Sequence, residues 1–229
     1  MIECQKHLFR LPDDVSYLNC AYMSPLLRSV EAAARRGLER QRRPWQIVSE
    51  DFFTDTERAR ELFAGLIGAC ADDIALTPSA SFGIGVAAAN LPFKRGQRVL
   101  VLDEQYPSNV YAWRELVSTN GGEILTIGRP DDDDWASAVL KQLDERVGIC
   151  ALPQVHWTDG SVVDLKPIAT RCRELSIPLV LDLSQSLGAM PFSVSEIDAD
   201  YGIGPRTNGC LAPTASAFCM HARIARTED

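Results

Sequence analysis

Four short clusters in this sequence combine residue types able to hold a charged, flat ligand. They read Thr77-Pro78-Ser79-Ala80-Ser81, Asp103-Glu104-Gln105-Tyr106-Pro107, His156-Trp157-Thr158 and Asp182-Leu183-Ser184-Gln185-Ser186. Asp182 is the most informative, because it interrupts the apolar run Leu179-Val180-Leu181 and Leu183. A carboxylate at the buried end of a strand is costly unless something compensates it. A pyridinium N–H is one such partner, since a charge-assisted hydrogen bond keeps that ring protonated and electron-withdrawing; a strand-end Asp that caps a loop is the alternative. Gln185, three residues on, can donate to a neighbouring ring hydroxyl. Ser79-Ala80-Ser81 at a strand-to-helix turn offers backbone N–H groups and hydroxyls to a phosphate, or serves only as an N-cap. Tyr106, stiffened by Pro107, can stack on a planar group, an arrangement favourable by roughly 1 kcal/mol, or can pack half-buried on a sheet edge. His156 can orient or contact a bound ring, or be merely hydrogen-bonded where a strand ends. Small hydroxyls, an aromatic, a histidine and an acid make a composition suited to a phosphorylated aromatic cofactor.

These clusters need a scaffold that brings them to one edge, and the hydrophobic pattern supplies it. IALT (74–77), RVLVLD (98–103), EILTIG (123–128), GICALPQV (148–155) and IPLVLDLS (177–184) read as buried strands. Between them SFGIGVAAAN, NVYAWRELVSTNG, WASAVLKQLDERV and LKPIATRCRELS read as helices, the second closed by Gly121. Near-continuous apolar strands alternating with amphipathic helices imply an α/β fold: a three-layer, open, mostly parallel sheet of at least five strands with helices on both faces. Ligands of such sheets sit at the carboxyl ends of the strands, where all four clusters fall. Upstream, Ser24-Pro25 has the form of an N-cap and first helical proline opening a helix, and Phe52, Phe53, Ala59, Leu62, Phe63 and Leu66 recur at helical spacing from about Asp51 to Ile67. The acidic run Asp131–Asp134 precedes a helix and reads as a solvated turn and cap.

Composition narrows the class. The chain has 229 residues, 23 Lys plus Arg and 31 Asp plus Glu, a net charge of −8. An acidic chain without basic stripes is a poor candidate for nucleic acid. No apolar run approaches the roughly 18 residues of a membrane span, and the start MIECQKHLFRLPDD lacks the apolar core of a signal peptide. The seven cysteines are scattered with no CxxC pair, so neither a disulfide framework nor a metal site is expected, and reduced thiols in a cytoplasmic protein are.

A rival reading starts from Gly83-Ile84-Gly85-Val86-Ala87-Ala88, a GxGxxA match, with Asp103 closing the next strand 20 residues after Gly83. That is the spacing of a dinucleotide (NAD) site with its ribose-binding acid, in an oxidoreductase domain. Pro78 to Phe82 separate the strand from the first glycine, however, whereas the fingerprint places that glycine in the turn itself.

Taken together, the clusters resemble the class V aminotransferase family of pyridoxal phosphate (PLP) enzymes, closest to its isopenicillin N epimerase-like, kynureninase-like and cysteine desulfurase-like members. Five blocks agree in order between about Asp13 and Tyr201: YLNCAYMSP, TPSASFGI, DEQYPSNVYAWREL, HWTDGSVVDLKPIA and DLSQSLGAMPFSV. The resemblance implies that Ala80 and Ser81 hold phosphate, Tyr106 stacks on the ring, Asp182 pairs with the pyridine nitrogen and Gln185 contacts the ring hydroxyl. It also implies His156 as a cofactor-binding residue and Asn19 and Tyr22 as substrate-binding ones. The activity implied is that of a transaminase, epimerase, desulfurase or lyase, acting through an aldimine on a small-molecule amino acid, in a homodimer.

The family pattern then requires a Schiff-base lysine shortly after the Asp block, inside a Lys-Trp-Leu-Leu-Gly-Pro-like motif. No lysine follows Lys166. Reading from the third base of the Thr207 codon permits Lys-Trp-Leu-Leu-Gly-Pro-Tyr-Gly-Phe-Gly-Phe-Leu-Tyr-Ala, which points to a frameshift near Arg206. The expected organisation is therefore an N-terminal segment (1–24), an incomplete PLP-binding large domain (25–205) and an aberrant, poorly packed tail (206–229). A chain of this kind is expected to lack efficient turnover, to leave a sheet edge uncovered, or to serve as the non-catalytic partner of an intact homologue.

Overall fold

The computed structural model describes residues 3–205 and 217–221. Strands β1 (Ile74–Thr77), β2 (Arg98–Leu102), β3 (Glu123–Ile127), β4 (Val147–Pro153), β5 (Leu179–Asp182), β6 (Tyr201–Pro205) and β7 (Ala217–His221) form one sheet in the order β1-β7-β6-β5-β4-β2-β3. All five expected strands are present. β2 pairs in parallel with both β3 and β4, and the series continues in parallel through β5 to β6. Only β7 runs antiparallel, to β6 on one side and β1 on the other.

Helices α1 (Arg28–Gln41) and α2 (Thr54–Ile67) precede the sheet, and α3 (Ala80–Asn90), α4 (Tyr111–Asn120), α5 (Trp135–Leu140), α6 (Leu165–Glu174) and α7 (Val194–Ile197) lie in the connections between its strands. The pleat divides the core. Leu100, Leu102, Leu179 and Leu181 point to the layer containing Phe63, Trp135 and Ile168, while Val99, Val101 and Val180 point to the layer containing Ile84, Trp113 and Val117. Alternate residues of β2 and β5 thus serve opposite faces, which is why these strands are apolar throughout.

Several expectations change at the edges. The first helix starts at Arg28, not at Pro25: Leu27 is extended, bridged to Phe9, and Arg28 Nε donates to the Phe9 carbonyl at 3.1 Å. That pairing keeps 25–27 out of the helix. The segment from Asp51 is split into a 3-10 turn (Ser49–Phe52) and α2. Phe63, Ala64 and Ile67 are buried, but Phe52, Phe53, Leu62 and Leu66 are exposed, so this segment is apolar on more faces than the domain covers. Asp134 caps α5 as expected, accepting from the Ser137 N–H at 3.0 Å. β6, α7 and β7 were not foreseen. β7 lies within the segment expected to pack poorly, yet its backbone fills the gap between β1 and β6, whose facing edges both offer unpaired donors and acceptors. The remainder of the 206–229 segment lies outside the described residues.

The sheet order turns back on itself at β2, with β3 on one side and β4 on the other. This switch point opens a crevice above the carboxyl ends of β2 and β4. The turn after β2 is pinned from below: a 3-10 turn, Pro107–Asn109, leads into α4, and the fully buried Trp113 donates Nε1–H to the fully buried Asn109 Oδ1 at 2.9 Å. Asn109 Nδ2 has no partner among the described residues. Replacing Trp113 with Phe should therefore strand the Asn109 amide and lower stability by about 1–3 kcal/mol, read as a lower urea midpoint at unchanged slope. An unchanged midpoint would show that the turn does not depend on this bond.

Candidate functional site

A cavity of about 760 Å³ opens over the carboxyl ends of β1, β2, β4 and β5. Ala80, Ser81, Tyr106, Asp182 and Gln185 all line it, as do Asn19 and Tyr22 from the N-terminal segment. Seven of the eight site residues expected from the sequence therefore share one cavity. His156 does not line it; the ring is buried beside the crevice with both nitrogens engaged.

Each side of the cavity has its own electrostatic character. At one end is the start of α3. Ser79 caps it, its hydroxyl accepting from the Phe82 N–H at 3.1 Å. The first-turn N–H groups of Ala80 and Ser81 have no intrahelical acceptor, so an anion is favoured there by direct donation and by the helix dipole. The N-cap and anion-site readings of this turn are thus compatible, being carried by different residues.

Asp182 sits at another point of the lining. It is 4% exposed, and its Oδ1 accepts from both the Ser184 N–H (3.0 Å) and the Ser184 hydroxyl (2.5 Å). Burial pushes the carboxyl above its ordinary value, and the two Ser184 bonds only partly offset this. A donor that also brings positive charge would stabilise the ionised form.

Tyr106, Trp157 and Tyr22 add aromatic surface. Tyr106 and Trp157 meet edge to face, with centroids 5.3 Å apart and planes at 89°. Trp157 Nε1–H donates to the Glu104 carbonyl at 2.6 Å. Gln105, nine-tenths buried in the lining, has an Nε2 with no partner among the described residues. Gln105, Trp157 and Ser184 were not singled out from the sequence, although all three lie inside the quoted strand-end clusters. An anion site, a buried carboxylate and an aromatic wall around one volume suit a flat ligand with a phosphate at one end and a protonated ring nitrogen at the other.

The dinucleotide reading is corrected by the same geometry. Gly83 and Gly85 lie inside α3, past its first turn, so neither forms the strand-to-helix turn. Asp103 does not line the cavity, and its Oδ1 is taken by the Glu104 N–H at 3.0 Å. Among the described residues no group of His, Cys, Asp or Glu could hold a metal ion, and no helix is long and apolar enough to cross a membrane.

The sequence model for the class-V aminotransferases matches residues 29–203. The chain belongs to this family. Among curated relatives, a "probable cysteine desulfurase" of Methanothermobacter thermautotrophicus is 28% identical over 171 residues, 71% of this chain and 40% of that protein. Kynureninase of Bacillus anthracis is 26% identical over 166 residues, 69% of this chain and 39% of that enzyme. The chain thus spans about two-fifths of the length of these relatives. Among solved structures, cysteine desulfurase from Thermococcus onnurineus NA1 superposes with a TM-score of 0.83 at 20% identity, over 94% of this chain and 56% of that one. A lysine-to-alanine mutant of C-DES with glycine covalently linked to its PLP cofactor gives a TM-score of 0.85 at 17% identity, over 95% of this chain and 59% of that one. These superpositions establish the class-V fold for the described sheet.

The raised Asp182 carboxyl has a consequence for stability. A folded-state value above that of the unfolded chain means that the ionised group opposes folding at neutral pH. That opposition fades as pH falls through the folded value toward the unfolded 3.8. Without ligand, Asp182→Asn should melt at the same or a higher temperature than wild type at pH 7, with the gap closing below about pH 4. A clearly lower melting temperature at pH 7 would contradict this assignment.

Proposed function

We propose that the cavity binds pyridoxal 5′-phosphate and that the intact activity is chemistry at Cα of an amino acid, within the range of transaminases, epimerases, desulfurases and lyases. The observation that carries this reading is the buried, under-compensated Asp182 sharing a cavity with the open N-terminus of α3. Family membership and the PLP-linked C-DES neighbour support it. When bound, the cofactor supplies an electron-withdrawing pyridinium ring that disperses negative charge from Cα.

This chain's residues divide the remaining work. Asp182 accepts from the ring N–H and keeps that proton on nitrogen, while Ser184 holds the carboxylate in place through two bonds to Oδ1. Ala80 and Ser81 take the phosphate at the start of α3. Tyr106 covers a ring face and excludes water from it, and Gln185 donates to the ring oxygen. Asn19 and Tyr22 belong to the substrate side of the cavity. Their segment is held by Tyr17, whose hydroxyl lies 3.1 Å from the Asn19 carbonyl and 2.7 Å from the Met23 carbonyl.

No lysine of this chain is placed to bond the cofactor covalently among the described residues. Lys166, the last in the sequence, lies on α6 outside the cavity, with Nζ 2.7 Å from Glu196. The reading therefore extends to non-covalent cofactor binding without efficient turnover, and to a frameshift near Arg206 as the origin of the missing lysine. A homodimer is inferred from the family, and the individually exposed Phe52, Phe53, Leu62 and Leu66 are apolar surface that such an interface would cover. A cytoplasmic setting is part of the same reading, and Cys4, Cys20, Cys70, Cys150 and Cys172 are free among the described residues.

PLP titrated into the 229-residue chain should give a saturable change in cofactor absorbance, weakened at least about tenfold by Asp182→Ala, the scale of one lost charge-assisted bond. Borohydride should then leave no site-specific lysine adduct. Protein made from a gene whose frame restores lysine at Thr207-Asn208 should turn yellow and be trapped at that lysine. Absence of PLP binding by both proteins would overturn the cofactor assignment, and a specific adduct in the unaltered chain would overturn the non-covalent one.

A further inference from the structure

We propose that His156 and Trp157 are a pair of positioning residues for the turn that carries Tyr106. Their adjacent ring N–H groups, donated to the adjacent carbonyls of Asp103 and Glu104, set the plane of the Tyr106 ring at the cavity wall. Tyr106's role toward a bound ring rests on the cofactor reading above; the clamp itself does not.

β2 and β4 are parallel neighbours, so the segments leaving them emerge side by side. His156 Nε2 lies 3.0 Å from the Asp103 carbonyl, and Trp157 Nε1 lies 2.6 Å from the Glu104 carbonyl. A carbonyl only accepts, so the His156 proton is on Nε2 and Nδ1 accepts from the Thr158 hydroxyl at 2.8 Å. The imidazole is 1% exposed and lies parallel to the Trp135 ring, centroids 5.5 Å apart and planes at 5°. It has no freedom to turn. Bonds to two successive carbonyls hold two successive peptide planes and so fix the φ and ψ of Glu104, the hinge between them, whereas one bond leaves the second plane free to rotate.

The clamped turn needs this restraint. Glu104 has φ of 50°, a left-handed conformation unfavourable for a residue with a side chain. The next two residues, Gln105 and Tyr106, are the ones presented to the cavity. Gln105 brings an unpartnered, buried amide, and Tyr106 meets the edge of the same indole that holds Glu104. Trp157 is 47% exposed, so core packing does not account for its orientation. His156 thus contributes to ligand binding without touching the ligand, which explains its position outside the cavity lining.

The test uses the full chain with His156→Leu, His156→Gln and Trp157→Phe, and two readouts. The first is hydrogen exchange by mass spectrometry over residues 103–110. The second is PLP affinity, followed by the induced circular dichroism of the bound cofactor. His156→Leu should accelerate exchange over 103–110 and weaken PLP binding roughly tenfold, the scale of a lost buried donor. Gln places an amide N–H near the imidazole Nε2 position and should restore both readouts to within about threefold of wild type. Trp157→Phe keeps an aromatic edge but loses the N–H, and should give faster exchange and an altered dichroic band. Wild-type exchange and affinity in both His156→Leu and Trp157→Phe would overturn the clamp, as would a loss of affinity in His156→Leu that Gln does not rescue. Should His156→Leu fail to fold, Trp157→Phe at its half-exposed position decides. If the wild-type chain binds no PLP, the cofactor reading fails by itself and exchange over 103–110 still decides the clamp.

Discussion

A carboxylate buried at the end of a parallel strand is the constraint around which this domain is arranged. Asp182 closes β5, between Pro153 of β4 and Ile203 of β6 in the register, and is only 4% exposed. Moving it would require moving the centre of the sheet. Ser184 supplies two donors to one oxygen but no positive charge, and burial still raises the carboxyl. A fold selected for stability alone would place an apolar side chain there, as it does at Leu181 and Leu183. The strain is local, lies at a cavity, and is relieved by any ligand that brings a protonated nitrogen.

The sheet order converts this single residue into a site. Because the chain reverses at β2, the switch point lies between β2 and β4, and the cavity opens over the carboxyl ends of the strands there. The phosphate-compatible start of α3 and the carboxylate of β5 then line a common cavity with opposite electrostatic preferences. A ligand with separated charges is oriented by these preferences before any shape complementarity acts. The aromatic residues from the turns after β2 and β4 complete the lining without adding charge.

What was legible in the sequence follows from how local each signal is. β2, β4 and β5 could be read because they are buried along their whole length, and β1 and the edge strand β3, which are only partly covered, because each is a short apolar run bounded by turns. The strand-end residues of the cavity could be read because strand ends in such sheets point to one edge. β6 escaped notice because Tyr201-Gly202-Ile203-Gly204-Pro205 has two glycines and a proline where a strand signal needs branched side chains. Gly204 lies close under Leu187, whose Cδ2 would be 2.7 Å from a Cβ there and would have to shift. The start of α1 was misplaced because Phe9 captures Leu27, a pairing between residues 18 positions apart that no local rule contains. His156 was assigned to the cofactor because a strand-end histidine looks the same in one dimension whether it faces a cavity or a neighbouring turn.

That last ambiguity has a physical resolution. His156 has committed Nδ1 to Thr158, Nε2 to Asp103 and one ring face to Trp135, and it does not line the cavity. Its neighbour Trp157 divides its surface differently, with the N–H spent on Glu104 and the ring edge on Tyr106, leaving nearly half of the residue open. Adjacent residues after one strand therefore do different work: the first fixes a turn from within the protein, and the second fixes the same turn while lining the cavity. The left-handed Glu104 is tolerated because both of its flanking carbonyl positions are held. The binding surface is thus assembled from the exits of two parallel strands, each still held by backbone bonds (the Asp103 N–H to the Ile127 carbonyl at 2.8 Å, and the Val155–Val162 bridge), with the His156 and Trp157 rings tying one exit to the other.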